Sequence, residues 1–149
     1  MDRDLNSEFE LTIESFDDDC VGIRCRGSNS RFAGTVIAYA SPDIISQLAR
    51  AVSGFPSNAM DSRHFEFGTF DSKFAGGGVR LRLVCIDRVG HAQLRLDLRA
   101  DPQQNGDETA SFAIPIEAAA VDSFVRELST MSLSVAASAT LKGRGPWTS

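Results

Sequence analysis

Histidine, cysteine and long apolar runs are scarce in this chain: 149 residues hold two histidines, three cysteines, and only one tryptophan and one tyrosine. A zinc centre needs Cys and His clustered at short spacing. His64 and His91 stand far apart on different inferred strands, so no metal site is expected. Cys20 and Cys25 point to opposite faces of one strand, which disfavours a disulfide. With Cys85 they make an odd set of reduced thiols and suit a reducing, cytoplasmic setting. Cys85 lies mid-strand in LRLVCID and faces the core, so a buried thiol is expected there rather than a nucleophile. No apolar stretch approaches the ~20 residues that cross a bilayer. The opening MDRDLNSEFE has no apolar leader region, so neither a signal peptide nor a membrane partner is expected.

Other chemistries lack their spacing. Gly76-Gly77-Gly78 is followed by a strand, whereas a phosphate loop must lead into a helix N-terminus. Asp17-Asp18-Asp19 has neither the alternate ligands nor the distal Glu of a calcium loop. The net charge of −5 disfavours a nucleic-acid partner, which usually meets a basic protein. Arg80, Arg82, Arg95 and Arg99 could bind an anion, but Asp97 interrupts them and a solvated sheet face is the plainer account. No nucleophile–base pair or carboxylate constellation is visible. The expectation is a protein without enzymatic activity and without cofactors.

What the chain does have is alternation. In GVRLRLVCIDRVGHAQLRLDLRAD, Gly78–Asp101, apolar and charged residues alternate in two stretches around Val89-Gly90. Strand side chains point to opposite faces in turn. Leu81, Leu83 and Cys85 therefore share a face with Leu94, Leu96 and Leu98, and the arginines share the other. A two-residue Val89-Gly90 loop would oppose Leu83 to Leu96 and Arg82 to Asp97. Val is awkward in such a turn because β-branched residues resist φ > 0.

Strands are also predicted over Phe9–Phe16 and Cys20–Arg26. A three-residue Asp17–Asp19 turn would pair Ile13 with Ile23 and Glu10 with Arg26. A third strand, Arg31–Ala40, is apolar on both faces and reads as central. Ser41 as N-cap and Pro42 at the first helical position open a helix that Gly54 stops. A strand over Arg63–Phe70 follows, then a flexible loop through Ala75–Gly78. After the hairpin, Asp101–Glu108 reads as a loop, Thr109–Ile114 is a strand that Pro115 ends, and a helix over Glu117–Met131 carries Val121, Phe124, Val125, Leu128 and Met131 on one stripe. The fold class is α+β: residues 1–131 form one domain, a single mostly antiparallel sheet of about seven strands with two helices packed on one face. Residues 132–149 are a polar, flexible C-terminal tail with a possible docked Trp147.

The stretches FELTIESF, GTVIAYASPDIISQLARAVSGFP, FEFGTFDSKFAGGGVRLRLVCIDRVGHAQLRLDLRAD and SFAIPIEAAAVDSFVRELSTM follow one another in an order that resembles the WapI-type bacterial immunity proteins and related small domains. That resemblance implies a role in binding and neutralising a cognate polymorphic toxin, with no functional residue to carry over. The acidic edge, Glu8, Glu10, Glu14, Asp17, Asp18 and Asp19, is the first candidate for a protein partner, since a basic partner would be drawn to it. The plainer account of these residues is a solvated strand and turn. A carrier with a cavity between sheet and helices is the alternative.

Overall fold

The computed structural model describes residues 6–147; Met1–Leu5, part of the opening stretch expected to hold no leader, and Thr148–Ser149, the end of the expected tail, lie outside them. The elements are β1 (Glu8–Phe16), β2 (Val21–Ser28), β3 (Ala33–Ala40), α1 (Ile44–Val52), β4 (Ser62–Gly68), β5 (Gly78–Cys85), β6 (Ala92–Arg99), α2 (Pro102–Asn105), β7 (Thr109–Ile116), α3 (Ala118–Thr130) and β8 (Ser138–Lys142). The α+β class holds, but the expected single sheet is two antiparallel sheets of four strands, ordered β3-β2-β1-β8 and β4-β5-β6-β7. Alternation identifies an inward face and is blind to how many sheets share the interior. Strands of two facing sheets have the same pattern as strands of one sheet covered by helices.

The two inner faces and the helices share one core. Phe9, Leu11 and Ile13 of β1, Ile23 and Cys25 of β2, Leu81 and Leu83 of β5, and Leu94, Leu96 and Leu98 of β6 are all buried in it. Val121, Phe124 and Leu128 of α3 join them, with the Phe124 ring edge-on to Phe9. Gly27 lets the sheets approach: a β-carbon there would overlap Leu96 of the other sheet. At Gly34 a β-carbon would lie 3.0 Å from Leu98. Helix α1 packs on α3 and β4, and α3 packs on β8.

Both hairpins keep the expected sidedness. In β1–β2, Ile13 opposes Ile23 and Glu10 opposes Arg26 as expected, with a bulge beyond Ile13. In β5–β6 the register is shifted by one step of the same parity. Leu83 opposes Leu94, Leu81 opposes Leu96, Arg80 opposes Asp97, and Arg82 opposes Arg95. The cause is the turn. Ile86 N–H donates to the His91 carbonyl (2.9 Å), leaving Asp87–Gly90 as a four-residue loop. The Asp87 carboxylate accepts from the Val89 and His91 amides, and Gly90 alone takes positive φ (95°), so Val89 escapes the strain.

Three further expectations change. Strand β3 is an edge strand, not a central one, and Ile37 and Tyr39 on its outer side remain exposed. Helix α1 begins at Ile44; Ser41-Pro42-Asp43 form the turn before it, with Ser41 Oγ donating to Asp43 (2.6 Å). The loop after β6 contains one helical turn, α2, and β7 runs on through Pro115. Pro115 is tolerated because β7 is an edge strand, where a missing amide breaks no ladder bond.

The segment read as a tail holds β8, which pairs with β1 from Glu8↔Lys142 to Thr12↔Ser138. Only Ala139 and Leu141 point inward, too few to stand out in the sequence. Glu127 of α3 accepts a bond from the Thr140 amide (2.8 Å) on the outer edge of β8. Trp147 docks as anticipated, its indole N–H donating to the Ala92 carbonyl (2.7 Å). Its ring is stacked between His91 and the Arg144 guanidinium.

Candidate functional site

The outer face of the first sheet carries the acidic residues singled out in the sequence, and the structure divides their work. Glu8, Glu10 and Glu14 lie along β1 and Asp17–Asp19 form the turn at its end. Glu14 is ion-paired with Arg24 on β2. Glu10 stands opposite Arg26 on one side and Thr140 on the other. The Asp17 carboxylate accepts from the Asp19 and Cys20 amides (2.8 and 2.9 Å), which builds the turn. Asp18 and Asp19 are exposed. Of the predicted set, then, Asp17 is structural, Glu14 is matched within the sheet, and the remaining carboxylates form a dispersed rim.

Beside that rim is a residue the sequence reading missed. Tyr39, the only tyrosine in the chain, lies on the same outer face, one row from the Asp17–Asp19 turn. It opposes Gly22, and Gly22 opposes Ser15. A β-carbon at Gly22 would come within 3.0 Å of Tyr39 Cε1. One at Gly76 would come within 2.9 Å of Tyr39 Cδ2, on the other edge of the ring. Gly76 has φ +93°, a left-handed conformation that favours glycine. The ring is thus held between two bare backbones and still exposes 51% of its surface; Ile37, next along β3, exposes 39%.

Gly76 reaches β3 because the glycine-rich segment, read as a loose loop, is pinned there. Gly77 N–H donates to the Ile37 carbonyl (2.8 Å) and its own carbonyl accepts from Thr69 (3.0 Å). A groove of about 230 Å³ runs beside Tyr39 and Ile37, from Arg24 to Asp101 and Gln104. It is open to solvent and lined by both charge signs.

The second sheet's outer face is different in kind. Arg80 is paired with Glu66 (2.9 Å) and Asp97 (3.5 Å), and its guanidinium lies over Phe70. Arg99 is buried and bonded to Asp107 (3.1 Å) and the Thr69 carbonyl. The next row is His64 on β4, Arg82 on β5 and Arg95 on β6, in direct register. No described carboxylate is paired with any of the three.

Among the thiols, all three are unbonded. Burial raises the Cys25 pKa strongly. Cys85 sits at the margin of the core rather than within it, its Sγ near the Asn58 carbonyl, and desolvation together with Asp61 and Asp87 raises its pKa. Both are held as thiols, the poorly nucleophilic form. Among the described residues no group of three His, Cys, Asp or Glu gathers to hold a metal. Among the described residues no helix is long and apolar enough to cross a membrane. The interior between sheets and helices is occupied by the core side chains; a groove of about 410 Å³ between α1 and α3 opens on the outside. Comparison with protein-family models, curated proteins and solved structures gives no match.

Proposed function

We propose that this chain is a binding protein of the immunity type, acting on a protein partner by occlusion and without catalysis. The observation that carries this reading is Tyr39, held by Gly22 and Gly76 yet half-exposed on the outer face of the first sheet. A fixed aromatic ring gives up little conformational freedom on docking, and tyrosine is enriched among residues that dominate interfaces. Ile37 extends the apolar contact, and Asp18 and Asp19 supply a negative rim that would speed encounter with a basic partner. The interface would therefore have an aromatic centre and a charged edge.

The test is co-expression with the product of the neighbouring gene, which on this reading is the toxin domain. The expected result is protection of the cells and co-purification of the two proteins, with association slowing as salt rises. Tyr39→Ala should weaken binding at least tenfold while leaving the far-ultraviolet circular dichroism unchanged. Asp18→Lys with Asp19→Lys should mainly slow association. Failure of the pair to co-purify would remove the immunity reading; tight binding by Tyr39→Ala would move the interface elsewhere.

A further inference from the structure

The row His64–Arg82–Arg95 has no structural use for its charge. Arg82 and Arg95 are exposed and directly opposed on neighbouring strands, an arrangement that destabilises a sheet. The same register gives Arg80 two carboxylates and gives Arg82 none. The neutral Gln93 is Arg95's neighbour, and its side-chain amide, turned with the oxygen towards the guanidinium, accepts from it at 3.1 and 3.2 Å. The chain has 20 acidic residues, so carboxylates were available to neutralise the row.

We propose that this row is a second interaction surface, one that takes the carboxylates of an acidic protein segment laid across β4, β5 and β6. Adjacent strands are about 4.8 Å apart, so the row, two arginines with the His64 imidazole at its end, spans about 10 Å, the reach of two or three acidic side chains. Each guanidinium offers a planar fork that matches a carboxylate. The row is one residue wide: on one side lies Arg80 between Glu66 and Asp97, and on the other Ser62, Val84 and Gln93. A nucleic-acid backbone, with charge continuing beyond about 10 Å, would run past both ends of the row without further cations to meet it, and the acidic chain as a whole, net −5, would oppose it. The surface is independent of Tyr39, which lies on the other sheet.

The probe is a fluorescein-labelled peptide of ten glutamates, titrated with the full chain at low salt and followed by anisotropy. Binding is expected to be saturable and to fall steeply as salt rises. Arg82→Glu with Arg95→Glu should weaken it at least tenfold. Arg50→Glu with Lys73→Glu makes the same charge change away from the row and should weaken it less than threefold. Single Arg82→Glu should weaken binding and leave the urea midpoint unchanged or higher, since it replaces a like pair with an opposite one. Equal losses from the two double variants would overturn the proposal. So would a fall in the urea midpoint of Arg82→Glu, which would make the arginine structural. Tighter, Arg82-dependent binding of a labelled 20-nucleotide single strand would overturn the acidic-segment reading in favour of nucleic acid.

Discussion

The two sheets share an interior and differ outside. On the first, opposite charges are matched across strands: Glu14 with Arg24, Glu10 opposite Arg26. On the second, one row is matched and the adjacent row sets arginine against arginine. The matched face is arranged as stability would choose, and its unusual element is an exposed aromatic ring. The unmatched face gives up a little stability to hold charge in reserve. Since cross-strand pairs contribute only about 0.2–1 kcal/mol each, such a departure is tolerable in a domain whose core is well filled.

The largest effect that would break this comparison lies where the sheets touch. Leu96→Ala removes a fully buried side chain and should cost about 2–5 kcal/mol in urea unfolding. Gly27→Val should cost about 1–3 kcal/mol by overpacking the same spot. Combining Leu96→Ala with Gly27→Val should cost less than the sum, because the new side chain enters the space the leucine leaves. Strict additivity would mean that the sheets do not meet at this point.

A smaller effect concerns the anchorage of the second sheet. Arg63 on β4 bonds the Ser53 and Ala51 carbonyls at the end of α1, and Asp61 holds its guanidinium through two oxygens at 2.9 and 3.0 Å. That hydrogen bonding lowers the Asp61 carboxyl from 3.8 to about 2. A depressed carboxylate stabilises the fold above its unfolded value. The contribution should therefore be complete above about pH 4 and lost as pH falls towards 2. In Asp61→Asn this component of the acid sensitivity should disappear from the urea midpoint measured between those values. An unchanged profile would show that the pair is not coupled to folding.

The smallest effects sharpen the contrast most. Arg24→Glu on the first sheet places a carboxylate beside Glu14 and should lower stability by less than ~1 kcal/mol. Arg82→Glu on the second makes the same chemical change and should raise stability by about 0.2–1 kcal/mol. Opposite signs in thermal unfolding would support the distinction between the two faces; a common sign would remove it.

Several of these features were legible in the residues. The alternation in β1, β2, β5 and β6 assigned inner and outer faces correctly. The expected pairing of Ile13 with Ile23 holds, but not through the expected three-residue turn: the strands pair on to Phe16↔Val21, Asp17 N–H bonds the Cys20 carbonyl, and a bulge at Glu14 offsets the difference. The β5–β6 register was missed by one step, since Asp87, four residues before His91, builds a longer turn than Val89-Gly90 implied. That step is what separates a solvated, charge-paired face from a row of unmatched cations. The acidic rim could be read directly, whereas Tyr39 could not be ranked, because what holds its ring is Gly76, delivered from a distant loop.

Backbone alternation and turn chemistry act over a few residues, so the sequence by itself determined the α+β class, which side chains face inward, and the pairing of its first hairpin. The number of sheets, the edge position of β3 and the return of β8 to β1 depend on strands far apart in the chain finding one another. Those pairings are chosen by the shared burial of all inner faces at once, including the close approach at Gly27. No local pattern encodes that choice, and the tertiary structure alone decided it.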